Sequence, residues 1–157
     1  AGTSSGDGAD VFTGFENYTL SGNDDIINLD VVHNGSIING GTGTDTVKFT
    51  GTTSSISADT DFTPNSTFTN IEKLDISGLN LNTSDNNTEF NFTEAMLDAW
   101  TGSYTGSLTL SLTSSQVEKI KFTDSSSVVH DTSSTITDNT SYTIGNNTLT
   151  IDIIDVP

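Results

Sequence analysis

Residues 40–48 read Gly-Gly-Thr-Gly-Thr-Asp-Thr-Val-Lys and match the pattern G-G-x-G-x-D-x-U-x at every fixed position. A stretch like this is restricted to a tight turn that runs straight into a very short strand. Its glycines permit the positive-φ backbone that such a turn needs. The Asp45 carboxylate and the loop carbonyls are hard oxygen donors, the kind that calcium gathers six to eight at a time. Val47 is then the apolar residue turned inward beneath the loop. Two partial copies lie upstream. Ser5-Gly6-Asp7-Gly8-Ala9-Asp10-Val11-Phe12-Thr13 departs at the first glycine, and Thr19-Leu20-Ser21-Gly22-Asn23-Asp24-Asp25-Ile26-Ile27 retains only the G-N-D-x-U half. The candidate cation site is therefore Asp7, Asp10, Asn23, Asp24, Asp25 and Asp45, together with the loop positions Gly41 and Gly43. The competing reading is ordinary turn chemistry, in which Asn and Asp bond to nearby backbone; for the half-motif at Asp24 the two stand level.

On these motifs the chain resembles the RTX family, the repeat-bearing exported proteins of bacteria. The resemblance implies a parallel β-roll with calcium between successive turns, secretion by a type I channel, and folding triggered by external calcium. The motif aspartates Asp10, Asp24 and Asp45 are spaced by 14 and 21 residues, neither a multiple of nine. The expectation is accordingly an interrupted or degenerate roll. Asn70-Ile71-Glu72-Lys73-Leu74-Asp75-Ile76-Ser77-Gly78 and the closing TLTIDIIDVP are similar to segments that follow the repeats in RTX adhesins and surface-layer proteins.

Composition narrows the possibilities further. Apolar residues make up 31% of the 157, below the usual globular share, so the core must be thin, as in a roll, solenoid or sandwich. Sixteen Asp and five Glu stand against four Lys and no Arg, for a net charge of −17. A nucleic-acid partner would need more basic residues than these four lysines. With no cysteine, disulfides cannot supplement the core, and bound metal is the remaining common device. No segment approaches the ~20 apolar residues of a membrane span. The chain is expected to be a mature product, a fragment, or a protein exported by an uncleaved C-terminal signal.

Along the chain, residues 1–50 carry the glycine-aspartate loops, and residues 51–157 form a β-rich region with one helix, the two sharing one continuous core. Residues 51–68 read as a long surface loop or edge segment. Phe68 to Ile76 and the alternating Ser107-Leu108-Thr109-Leu110-Ser111-Leu112 read as strands. Val117, Ile120 and Phe122 continue the β pattern. A hairpin joins Ser141–Ile144 to Thr148–Ile153 through Gly145-Asn146-Asn147. One short helix is expected near residues 93–100, opened by a capping box over Asn91–Glu94 and stopped by Gly102, with Trp100 as a core anchor. The fold expected is thus mainly β: degenerate parallel β-roll or solenoid turns, then an antiparallel sheet or sandwich, with that single helix.

Catalytic chemistry finds little support. His33 and His130 are the only histidines and read as ordinary strand-end residues. No G-x-S-x-G elbow is present, and carboxylates in Gly-rich loops are better suited to holding cations than protons. An enzyme is not expected. The scattered T-x-T steps show no period that would align their hydroxyls on one face. Two functions remain. The first is a calcium-binding, secreted structural protein of a bacterial surface, a surface-layer, matrix or filament subunit that associates with copies of itself. The alternative is an RTX adhesin module that grips a cell-surface glycan or peptide.

Overall fold

The computed structural model describes residues 2–3, 17–30, 37–52, 67–80, 90–102, 106–130 and 136–155. Short parallel strands stack in two walls. One wall carries β1 (Gly2–Thr3), β2 (Asn17–Thr19), β4 (Ile37–Asn39) and β6 (Thr67–Thr69) in that order. The facing wall includes β3 (Ile26–Asp30), β5 (Thr46–Thr52) and β7 (Lys73–Asn80). The chain alternates between the walls, so each β2-to-β3, β4-to-β5 and β6-to-β7 passage is one coil of a parallel solenoid. Tyr18 lies beside Ile38 and Ile38 beside Phe68, while Ile27 lies beside Val47 and Val47 beside Leu74. The first two coils thus repeat after 20 residues. The third makes its turn with three residues, 70–72, in place of the six in 20–25 and 40–45.

Alternation drives this arrangement. In β3, β5 and β7 every second side chain is buried, so Ile27, Leu29, Val47, Phe49, Leu74 and Ile76 face the interior. Each such fully buried side chain contributes roughly 1.5–3 kcal/mol. A single turn hydrogen bond contributes about 1 kcal/mol, so the apolar rows carry most of the stability.

The second wall continues past the coils. β9 (Ser107–Leu112) pairs in parallel with β7, and β13 (Asn147–Ile153) pairs in parallel with β9. β12 (Thr140–Ile144) closes the sheet antiparallel to β13, giving the order β12-β13-β9-β7-β5-β3. One apolar row, Ile27–Val47–Leu74–Leu110–Ile151, crosses five of those strands. A third, smaller sheet joins β8 (Phe90–Phe92), β10 (Ile120–Thr123) and β11 (Val129–His130), with β10 and β11 antiparallel. The buried apolar residues from Tyr18 to Ile153 form one cluster.

The expected mainly-β fold with parallel solenoid turns is what the chain adopts; antiparallel pairing, among the described residues, is confined to β12–β13 and β10–β11. Helix α1 (Glu94–Thr101) forms where expected, but Thr93, not Asn91, is its N-cap, its hydroxyl accepting from the Met96 N–H. Gly102 stops it at φ +65°. Trp100 is buried, edge-on to Phe68 at 5.5 Å and to Phe92 at 6.0 Å. The helix thereby covers the end of the first wall. Residues 114–119, expected to be β, form a 3₁₀ helix instead. Gln116 explains it: Oε1 accepts from the Thr113 N–H while Nε2 donates to the carbonyls of Ile76 and Leu79, which the sheet leaves open. The hairpin has a two-residue turn, Gly145-Asn146, because Ile144 pairs with Asn147. The strand expected over Phe68–Ile76 is broken at Asn70, whose φ is +54°. Residues 53–66 of the expected surface loop lie outside the described residues.

Candidate metal centre

The three loops stack along one edge of the solenoid, and carboxylates join them. The Asp25 N–H donates to Asp45 Oδ1 (3.0 Å), and the Asp45 N–H donates to Glu72 Oε2 (2.8 Å). Thr44 N–H donates to Asp24 Oδ1 (2.7 Å), bridging the first loop to the second. Asp25 also closes its own loop, with Oδ2 accepting from the Ser21 N–H and Oγ. Backbone bonds run beside them: Thr46 N–H to the Asp25 carbonyl, and Glu72 and Lys73 N–H to the Asp45 carbonyl. The result is a column, Asp25–Asp45–Glu72, in which each carboxylate below caps a backbone donor above.

The structure places six of the eight expected site residues. Asp25, not Asp24, occupies the place equivalent to Asp45, since the Ile26–Thr46 pairing puts the preceding residues in step. Asp24 and Asn23 are exposed, whereas Asp25 is 8% and Asp45 0% exposed. Gly41 and Gly43 have φ of +98° and +132°. A Cβ on Gly43 would meet the Asn23 carbonyl at 2.6 Å, and one on Gly41 would run into the Ser21 carbonyl. These glycines are needed for the second loop to pack directly on the first. Asp7 and Asp10 lie outside the described residues, as does His33.

One atom in the column is left over. Asp45 Oδ2 is buried and has no hydrogen-bond partner, which makes it the single such side-chain atom among the described residues. It faces Gly40, where a Cβ would sit 2.6 Å from Oδ2 and collide with the Asn70 carbonyl oxygen. Burial pushes the Asp45 carboxyl from 3.8 to about 6, partly offset by the Asp25 N–H and reinforced by the charges of Glu72, Asp25 and Asp24. Between those two values the native state holds more protons than the unfolded chain. Ion-free stability at this residue therefore falls as pH rises, and the penalty is complete above about 6.

Glu72, Asn70 and Gly40 belong to this place and were missed as site residues. Superposing residues 37–50 on 17–30 and then shortening the third turn would have found Glu72 in register. Among the described residues no group of three or more His, Asp or Glu side chains converges to hold a metal alone. The donor chemistry at Asp45 nevertheless fits calcium: an uncompensated carboxylate oxygen with a backbone carbonyl beside it, in a field of three further acids. Calcium shells are routinely completed by carbonyls and water.

The remaining histidine has a different setting. His130 Nε2 lies 2.9 Å from Asp124 Oδ2, and its ring stacks on Phe122 at 4.8 Å. Hydrogen bonding from His130 and from the Val128 N–H holds the Asp124 carboxyl below 3.8. This pair pins the turn between β10 and β11.

Comparison with known proteins finds no match, either to a family model, to a curated protein or to a solved structure. No helix among the described residues is long and apolar enough to cross a membrane.

Proposed function

We propose that the chain is a calcium-stabilised structural module of a secreted bacterial surface protein, without catalytic activity, that associates with copies of itself. The observation that carries this reading is the orphaned Oδ2 of Asp45 at the centre of an acidic column. A buried carboxylate oxygen without a partner is costly, and a bound divalent cation removes that cost. Asp45 and the Asn70 carbonyl would hold the ion, and Asp24, Asp25 and Glu72 would supply the surrounding negative field. The ion supplies positive charge and nothing more: it ties the second coil to the third. With −17 on 157 residues, neutralising part of that charge also lowers the repulsion between subunits, whose contacts fall within the ~8 Å screening length at physiological salt.

The RTX resemblance of residues 40–48 and the mainly parallel β coils support the same reading. The glycan-binding alternative draws less support, because Trp100 is in the core and offers no stacking platform. Two experiments test the proposal together. Isothermal titration with calcium should show saturable binding, and sedimentation should show calcium-dependent species larger than 16.5 kDa that EGTA dissolves. No heat with calcium and a monomer in both conditions would refute it.

A further inference from the structure

We infer that the outer face of the six-stranded sheet is the surface through which copies of this chain meet, which rests on the self-association reading above. The face differs from the rest of the molecule in charge. Two of the chain's four lysines lie on it, and each is paired: Lys48 Nζ with Asp75 Oδ2 at 2.8 Å, and Lys73 Nζ with Asp152 Oδ2 at 3.5 Å. These two cations and two carboxylates balance one another across β5, β7 and β13, on a chain of −17. The repulsion that keeps copies apart is weakest here.

The face is also regular. Hydroxyl side chains from distant parts of the chain come into line across strands, in the row Ser141–Thr150–Thr109–Lys73–Thr46, which ends on the exposed Ile26. The register does this, since β9 and β13 enter the sheet from distant parts of the chain. Short hydroxyl side chains let a second sheet approach closely. Two such faces are complementary to each other, because each offers paired cations and carboxylates among neutral hydroxyls. A single-signed partner would gain less.

Magnitude sets the kind of contact. Six strands at about 4.8 Å, a few residues long at about 3.3 Å each, offer on the order of 400 Å² per copy. Stable pairs bury about 800 Å² per partner. The contact is therefore weak, and because each face meets its own kind it closes a pair.

Charge complementation tests it. Lys73→Glu takes these four side chains to −2 and Asp152→Lys takes them to +2. Each variant alone, with far-UV circular dichroism confirming its fold, should associate at least ten-fold more weakly than wild type in sedimentation with millimolar calcium. A one-to-one mixture should regain association. Thr150→Lys, which disturbs neither pair, should weaken it likewise. If all three variants associate as wild type does, the face is wrong while calcium-dependent association stands. Single losses without recovery in the mixture also overturn the face. A wild type that stays monomeric with and without calcium removes both the face and the reading on which it rests.

Discussion

The stacked loops 20–25, 40–45 and 70–72 and the region from residue 90 onward close the same core by different means. The loops are joined by backbone donors and carboxylates, with one buried oxygen left uncompensated. From residue 90 onward Trp100 and Phe92 interlock with Phe68, the Trp100 carbonyl accepts from the Ile71 N–H of the third loop, and other polar groups are matched in pairs, such as Asn147 Nδ2 to Asp98 Oδ1 and Asp155 to the Ser114 N–H. Among the described residues from 90 onward, no buried side-chain polar atom is left without a partner. The loops have a net need for positive charge. This difference teaches that calcium dependence should be local: strong where loops stack, negligible where aromatics do.

The largest expected effect breaks the apolar end. Trp100→Ala should cost about 3–5 kcal/mol, and the loss in thermal melting should be equal in calcium and in EGTA. A loss that depends on calcium would mean that the bond from the Ile71 N–H to the Trp100 carbonyl couples the two regions. Next comes the loop edge. Gly41→Ala places a Cβ at φ +98° against the Ser21 carbonyl and should cost roughly 1–3 kcal/mol from backbone strain alone. Urea unfolding would measure it, and a neutral effect would show that the first two loops do not pack directly.

Much of this architecture could be read from the chain. The glycine-aspartate loops, the helix stop at Gly102 and the alternating Ser107–Leu112 strand are local signals, and local signals survive folding. What could not be read was set at long range. The parallel insertion of β9 between β7 and β13 joins segments about 40 residues apart, and no short pattern encodes it. The 3₁₀ helix at 114–119 depends on Gln116 reaching the carbonyls of Ile76 and Leu79. At the candidate site the adjacent Asp24 and Asp25 both suit the motif, and only the stacking of Ile26 on Thr46 separates their roles.

The smallest effect concerns a pair on the sheet face, outside both regions. Burial pushes the Asp75 carboxyl up, but hydrogen bonds from Lys48 and Ser77 outweigh it and hold the group below 3.8. Its contribution is present above the unfolded value and is lost as pH falls through the lower, folded one. Asp75→Asn should therefore cost under about 1 kcal/mol at pH 7 and should flatten the acid limb of the stability profile below about pH 4. An unchanged acid limb would remove Asp75 from the account.

The central claim is that Asp45 carries a charge the protein does not compensate. Asp45→Asn keeps the shape, retains an acceptor for the Asp25 N–H, and gives the Asn70 carbonyl a neutral amide as neighbour. Thermal melts of wild type and this variant, each at pH 7.5 in millimolar calcium and in EGTA, test it most directly. Wild type should be stabilised by calcium, by roughly 2.7 kcal/mol when the ion is at a hundred times its Kd. The variant should lose that response and, in EGTA, melt above wild type. A variant that melts below wild type in EGTA and still gains as much from calcium would contradict the account.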